Sequence, residues 1–235
     1  MEITLLGQAG AFVRLEDGTG IAVDPYLSDS LHALKGERFA RRVPESRKWR
    51  AQAPDIIAVT HDHMDHLDME TLGPWLDGGA RKQVLGPYPV CEKICGKWPG
   101  RHNTWVMRPG VEVTLGGVRF SAVPAAHETE HAVGYLAEAE GKSVYFTGDT
   151  LFDRRIPAFF AGRRIDLMLV CINGTGNNMN CADAARLAGL LRPAAVIPVH
   201  WDMFGPFGAD PAEFVRELGG AVPVRVMEAY SSLRL

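Results

Sequence analysis

Short apolar runs rich in β-branched residues recur along the whole chain, and glycine, proline and aspartate separate them. Runs of this kind predict buried or half-buried strands. They fall at residues 3–6, 11–16, 20–23, 56–60, 83–85, 104–107, 111–115, 118–123, 132–138, 143–147, 167–172, 195–199, 224–227 and 231–233. Apolar residues at helical spacing predict helices at residues 68–76, 89–98, 152–161, 181–191 and 211–218.

The order of these elements predicts an α/β fold. Hairpin-forming strands and strand–helix alternation occur in both halves of the chain. Two sheets enclosed between helices satisfy that mixture, because each sheet then buries both of its faces. No linker rich in glycine, serine or proline divides the 235 residues, so we expect one domain that spans residues 1–235.

Composition and charge narrow the class of protein. Hydrophobic residues make up 46% of the chain and charged residues 23%, which is typical of a globular protein in water. The net charge of −3 argues against general affinity for nucleic acid or membranes. The sequence has neither an apolar run of about 18 residues nor a basic, signal-like start, and its four cysteines are too few for a disulfide scaffold. We therefore expect a cytoplasmic protein.

Residues 60–66 read Thr-His-Asp-His-Met-Asp-His and concentrate potential metal ligands on the turn between a predicted strand and a predicted helix. His61 and His63 share a face of an extended turn, because side chains two residues apart point the same way. That pair can hold one metal ion, and Asp65 and His66 from the next bend can face a second. Imidazole nitrogen and carboxylate oxygen suit zinc, manganese or iron.

Three more ligand-type residues follow predicted strands. His127 comes after the strand at 118–123, Asp149 after 143–147, and His200 after 195–199. Taken singly, each histidine could be an ordinary polar residue, and Asp149 could cap a helix. Together with the heptapeptide, the three residues predict a two-metal site built at the ends of several strands.

This series of motifs resembles the metallo-β-lactamase superfamily. His-x-His-x-Asp-His, a lone His, a Gly-Asp pair and a late strand-terminal His follow in that order between Leu5 and about Phe214. Local motifs are similar to those of the L-ascorbate-6-phosphate lactonase-like branch, namely Val23-Asp24-Pro25, Ile172-Asn173-Gly174, Asn178-Met179-Asn180, Pro198 to Phe204 and Ala209 to Phe214.

The resemblance implies a four-layer αββα sandwich in which both halves contribute ligands along one edge. It implies a first metal site formed by His61, His63 and His127. It implies a second site formed by Asp65, His66 and His200, with Asp149 bridging the two metals. Two divalent ions would be the cofactors, zinc or manganese, with iron as an alternative.

Such a centre predicts a metal-dependent hydrolase. Two divalent ions would lower the pKa of a bound water toward about 7. One ion could then polarise the scissile carbonyl or phosphoryl oxygen while both hold the nucleophile. Asp65 and Asp149 are the expected catalytic carboxylates, and a small anionic ester or lactone is the expected substrate, because the centre keeps a net positive charge. The alternatives are a phosphodiesterase or nuclease on the same scaffold, and a di-iron redox protein, against which His63 argues because such relatives carry glutamate there.

Residues 35–50 form a strongly basic segment. Seven basic and two acidic residues give it a charge of +5, against −8 for the rest of the chain. One interpretation is a solvated loop. The other is a lid that offers Arg41 and Arg42 to an anionic substrate.

Four further residues are candidates for supporting roles. Asn173 and Asn178 are candidates for substrate contacts, with local turn geometry as the alternative. Asp24 and Asp202 are candidates to accept hydrogen bonds from ligand imidazoles. The expected partner is a small-molecule substrate; nucleic acid and membrane are not expected, and assembly into a homo-oligomer stays open.

Overall fold

Two β-sheets packed face to face form the centre of the computed structural model, which describes residues 1–129 and 131–235. Within these residues the first sheet has seven strands, in the order β13 (Ser232–Arg234), β1 (Glu2–Gly7), β2 (Gly10–Arg14), β3 (Gly20–Val23), β4 (Ile56–Ala58), β5 (Gln83–Gly86) and β6 (Asn103–Val106). The second has six, in the order β12 (Ala195–Val199), β11 (Leu167–Cys171), β10 (Lys142–Phe146), β9 (Val133–Ala139), β8 (Val118–Pro124) and β7 (Glu112–Leu115).

Alternation along the strands divides the apolar side chains between two layers. In β2, Ala11 and Val13 join the core shared by both sheets, whereas Phe12 packs on the opposite face among helical residues. The second sheet contributes side chains such as Phe120 and Tyr135 to the shared core. Each large apolar side chain buried in this way stabilises the fold by about 1.5–3 kcal/mol.

Helices cover the outer faces of both sheets. Residues of α3 (Met69–Asp77) and α4 (Tyr88–Lys97) pack on the first sheet, and those of α5 (Arg155–Phe159), α6 (Cys181–Leu191) and α7 (Pro211–Leu218) pack on the second. The predicted αββα sandwich is therefore confirmed. No helix in the described ranges is long and apolar enough to cross a lipid bilayer.

Two stretches differ from the prediction. Residues 224–227 do not form a strand, because Val224 makes a single bridge to Val196 of β12 and the chain then leaves the sheet. The basic segment is not an irregular loop throughout, since it includes the end of α1 (Ser30–Lys35), a 3-10 turn (Glu37–Phe39) and α2 (Arg47–Arg50). These helices are shorter than two turns, and helical periodicity is not readable over so few residues.

Strand direction determines where the site forms. Strands β3 to β6 run parallel, and so do β10 to β12. The carboxyl ends of parallel neighbours meet at one edge of a sheet. Strand β8 runs antiparallel to β9, and β9 runs antiparallel to β10, so β8 ends at the same edge as β10. The segments that follow β4, β8, β10 and β12 lie together at one edge of the sandwich.

Candidate metal centre

The seven predicted ligand residues meet at this edge. His61, His63, Asp65 and His66 lie on the segment between β4 and α3, while His127, Asp149 and His200 follow β8, β10 and β12. Gly148 allows the Asp149 segment to approach closely, because its φ is +58° and a Cβ there would lie 2.8 Å from Thr60. The side chains form three overlapping groups that could each hold a metal ion.

The first group contains His61, His63 and His127. The Nε2 atom of His61 lies 2.9 Å from Nδ1 of His63, and that same Nδ1 lies 3.3 Å from Nε2 of His127. When ligand atoms are bound about 2.0–2.2 Å from one tetrahedral ion, they lie roughly 3 Å from one another, as these nitrogens do. These three nitrogens therefore face a common point.

The second group contains Asp65, His66 and His200. Oδ2 of Asp65 lies 3.3 Å from Nε2 of His200 and 3.7 Å from Nε2 of His66. His66 is fully buried and His200 nearly so, so this group lies deeper than the first. Its two imidazoles and one carboxylate form a donor set suited to zinc or manganese.

Asp149 lies between the two groups. Its Oδ1 is 3.3 Å from Nε2 of both His66 and His200, and a third potential metal group joins it to His61 and His66. In the described part of the chain, Asp149 Oδ1 and His66 Nε2 are buried without a hydrogen-bond partner. Buried polar atoms are rarely left unpaired. The residues therefore fit a cation that these two atoms would share.

A buried hydrogen-bond network holds the ring nitrogen of His66 that points away from the centre. Nδ1 of His66 lies 2.8 Å from Asp24 Oδ2, and Asp24 also accepts hydrogen bonds from the Thr60 amide at 2.7 Å and the Thr60 hydroxyl at 2.6 Å. An Nδ1–H donated to Asp24 leaves the Nε2 lone pair free to face the centre. Asp24 is thus in contact with a candidate ligand.

Asp202 does not accept a hydrogen bond from a candidate ligand among the described residues, in contrast to the prediction. No hydrogen bond within residues 1–129 and 131–235 joins it to an imidazole, and it instead lines a small cavity beside Gln8 and Trp201. Burial raises the pKa of its carboxyl group. The turn after β12 directs His200 to the centre and Asp202 away from it.

Asn173 and Asn178 are held next to the centre by each other and by Asp149. The amide nitrogen of Asn178 donates to Asp149 Oδ2 at 2.8 Å and to Asn173 Oδ1 at 3.0 Å. Because Oδ2 of Asp149 is occupied in this way, Oδ1 is directed to the centre. The contacts give Asn178 a role in orienting a candidate ligand, and both asparagines also line the adjoining cavity.

Electrostatics favours the protonation states that bind metals in several of these groups. Burial raises the pKa of Asp149, but the His200 and His66 imidazoles outweigh it and hold that pKa well below its ordinary value. The same imidazoles lower the pKa of Asp65 against the effect of burial. Burial lowers the pKa of His61 and of His127. Burial also acts to lower the pKa of His66 and of His200, but the Asp149 carboxylate and its neighbours outweigh it and raise both. Ionised carboxylates and neutral imidazoles are the forms that coordinate metal ions, so metal binding at the second group would compete with protonation of His66 and His200.

A cavity of about 260 Å³ opens next to the centre. Its lining includes the candidate ligands His63, Asp65, Asp149 and His200, and also the rings of Phe39, Phe204 and Phe207. Phe39 stacks on Phe207, with ring centres 5.0 Å apart, and meets Phe204 edge to face at 5.5 Å. We call these three rings the aromatic wall.

Several residues at the site are not among the predicted site residues. Gln8 and Glu128 line the cavity, and Glu128 Oε1 lies 3.2 Å from Nε2 of His63. Phe39 and Phe207 lie in 3-10 turns that only tertiary contacts bring together. The adjacency of Glu128 to His127 was the one available indication, because a carboxylate next to a ligand can reach a neighbouring imidazole.

The predicted lid arginines do not line the cavity. Arg41 donates to the carbonyl oxygens of Ser28 at 2.6 Å, Tyr26 at 3.2 Å and Val43 at 3.0 Å. Arg42 is exposed and lies beside Gly205. The guanidinium group of Arg41 is therefore engaged by backbone carbonyl groups. Within the basic segment, Phe39 is the residue that lines the cavity.

Comparison with known proteins identifies the class that this fold and site define. The family described as Beta-lactamase superfamily domain matches residues 19–201, which is most of the chain. The chain therefore belongs to the beta-lactamase superfamily, and the predicted superfamily resemblance is confirmed.

One relative and two solved structures show which activities occur in proteins similar to this chain. A protein of Pyrococcus furiosus named UPF0173 metal-dependent hydrolase is 31% identical over the full length of both chains. A metallo hydrolase from Ignicoccus hospitalis has a TM-score of 0.80 at 24% identity, covering 99% of this chain and 97% of its own. The diiron beta-hydroxylase CmlA of Streptomyces venezuelae has a TM-score of 0.74 at 15% identity, and the match covers all of this chain but 54% of CmlA. The fold is thus shared by a metallo hydrolase and a diiron beta-hydroxylase, and the residues of the site must distinguish between such chemistries.

Proposed function

We propose that this protein is a metal-dependent hydrolase that cleaves a small ester or lactone with two divalent ions at the candidate centre. His61, His63 and His127 would hold one ion, and Asp65, His66 and His200 the other, with Asp149 between them. The observation that carries the proposal is the pair of buried, unpartnered atoms, Asp149 Oδ1 and His66 Nε2, among the described residues. The full-length relative named as a metal-dependent hydrolase supports it.

The chain's own residues would hold this centre in one geometry. Zinc or manganese, with iron as an alternative, supplies a hydroxide at neutral pH and a Lewis acid for a carbonyl oxygen. Asp24 fixes the ring of His66, and Asn178 fixes the carboxylate of Asp149. Residues that fix ligands in this way set metal affinity and activity. Asp65 and Asp149 are the proposed catalytic carboxylates because they would position both ions.

The aromatic wall supports a substrate with an apolar group next to the scissile bond. Phe39, Phe204 and Phe207 line the same cavity as four of the candidate ligands, and no lysine or arginine of the described residues lines it. Arg38 nevertheless contacts the wall, since its guanidinium lies 4.8 Å from the centre of the Phe207 ring. We propose that Arg38, rather than Arg41 or Arg42, attracts an anionic group on the substrate. The lactonase-like branch stays a prediction within this proposal.

A substrate panel tests the proposed reaction. Purified protein supplemented with Zn²⁺ or Mn²⁺ is assayed against lactones, carboxylic esters, thioesters and phosphodiesters, with His61→Ala as the control that removes a candidate ligand. We expect metal-dependent cleavage of a lactone or ester that the control lacks. Cleavage of phosphodiesters alone would favour the phosphodiesterase alternative, and activity unaffected by chelation and by His61→Ala would contradict the proposal.

A further inference from the structure

Gln8 lies inside the second ligand group although it is neither a histidine nor a carboxylate. Its Nε2 atom is 2.6 Å from Asp65 Oδ2 and 2.9 Å from His200 Nε2, and the residue is 3% exposed. We propose that Gln8 is a positioning residue that selectively sets the affinity of the second metal site. This inference rests on the proposed function, because it requires that the site bind a metal.

The contact chemistry assigns Gln8 as a donor to Asp65 rather than as a metal ligand. At 2.6 Å from a carboxylate oxygen, an amide N–H donates a short, charge-assisted hydrogen bond, whereas an amide oxygen would be repelled. Asp65 Oδ2 has two lone pairs, so it can accept from Gln8 and still face a cation. His200 Nε2 has a single lone pair, which cannot serve both Gln8 and a metal ion. Asp65 is therefore the partner that Gln8 keeps when the site is loaded.

The backbone of Gln8 also holds the other ligand of this group. Its carbonyl oxygen accepts a hydrogen bond from the His200 amide at 2.8 Å. Gln8 lies in the turn between β1 and β2, and His200 lies in the turn after β12, so this bond joins the two turns. Both residues adopt left-handed backbone conformations, with φ of +54° and +64°. Gln8 thus positions Asp65 through a side-chain hydrogen bond and His200 through a main-chain hydrogen bond.

The same contacts predict that Gln8 affects the second metal site and not the first. The hydrogen bonds of the Gln8 side chain within the described residues go to Asp65 and His200, and neither residue belongs to the first group of His61, His63 and His127. Loss of the amide should free the Asp65 carboxylate to rotate. The second site should weaken as a result, while the three histidines of the first group keep their arrangement.

A Zn²⁺ titration of Gln8→Met tests the inference. Methionine keeps the length and volume of the side chain but cannot donate a hydrogen bond. Metal-free wild-type and variant proteins are titrated with Zn²⁺ in competition with a chromophoric chelator. We expect the second site to weaken by about 10- to 100-fold and the first to be unchanged. Gln8→Ala carries the same expectation should Gln8→Met not fold, which circular dichroism of the metal-free protein decides.

Two further variants make the result specific. Gln8→Glu cannot donate when it is ionised, so it should not restore the second site; binding as tight as wild type would mean that position 8 supplies an oxygen ligand and would overturn the assignment. Gln83→Met makes the same substitution at a glutamine whose side chain, among the described residues, accepts hydrogen bonds from Asn103 and Trp105, and it should leave both sites unchanged. Two unaltered sites in Gln8→Met would overturn this inference alone, whereas wild-type protein without Zn²⁺ or Mn²⁺ affinity would overturn the proposed function.

Discussion

At the scale of single residues, several candidate ligands present one atom to the centre and have the other held by a neighbour. His66 presents Nε2 while its Nδ1 meets Asp24, and Asp149 presents Oδ1 while its Oδ2 meets Asn178. The convergence of the candidate ligands at one site could be predicted because four of them lie within six residues and the other three follow predicted strands. Of their supporting partners, Asp24 was among the predicted candidates. The bond from Asn178 to Asp149 could not be predicted, because the two residues are 29 positions apart along the chain and only the fold joins them.

The position of Asp149 leads to a prediction about metal binding. Because its carboxylate lies between both groups, Asp149→Ala should weaken both metal sites, whereas His66→Ala should weaken mainly the second. Titration of each metal-free variant with Zn²⁺ distinguishes the two patterns. If both variants lose the same site to the same extent, Asp149 does not bridge the ions.

At the scale of elements, the strands and long helices could be predicted and the short helices could not. The alternating faces of β2 and the capped start of α3 at Asp68 are encoded locally. The two 3-10 turns that carry Phe39 and Phe207 depend on contacts between segments far apart in sequence. The aromatic wall therefore escaped prediction. One of the two interpretations of the basic segment offered Arg41 to the substrate, but backbone carbonyls occupy its guanidinium group.

The turn at Glu37–Phe39 leads to a prediction about substrate charge. Arg38→Ala should raise the KM for an ester that carries a carboxylate more than for a neutral ester of the same size, because Arg38 contacts the aromatic wall. An exposed ion pair contributes up to about 1 kcal/mol, so the expected change is roughly twofold to fivefold. Arg47→Ala is the matched control, since Arg47 is an exposed arginine of the same segment. Equal changes for both esters would assign Arg38 to packing alone.

His102 connects helix α3 to the start of β5 and gives a pH-dependent prediction. Its Nδ1 accepts from the Lys82 amide at 3.2 Å and its Nε2 donates to Leu76 O at 3.0 Å, which requires the neutral ring. Burial lowers the pKa of His102. The unfolded chain therefore binds more protons than the folded one near the ordinary histidine pKa of about 6.5, so this contribution to stability is present above that pH and is lost as pH falls.

Chemical denaturation of wild type and His102→Gln checks this sign. Glutamine can accept and donate without titrating, so the free energy of unfolding of wild type should fall more than that of the variant between about pH 7.5 and about pH 5.5. Both proteins are measured with a chelator, so that metal binding does not contribute. A larger acid loss in the variant would contradict the assignment of the neutral ring.

At the scale of the whole molecule, the centre depends on both sheets. His61, His63, Asp65 and His66 follow β4 of the first sheet, and His127, Asp149 and His200 follow strands of the second. The superfamily and the sandwich could be predicted because ligand order and strand pattern run through the whole sequence. A single domain over residues 1–235, a cytoplasmic location, a preference for small molecules over nucleic acid and the state of oligomerisation stay predictions.

Metal stoichiometry tests the central claim most directly. Protein purified without chelators and then supplemented with Zn²⁺ or Mn²⁺ is freed of unbound metal and subjected to elemental analysis. Two convergent ligand groups with Asp149 between them predict two transition-metal ions per chain. A content near zero after supplementation would contradict the account, whereas one ion per chain would contradict the shared role of Asp149.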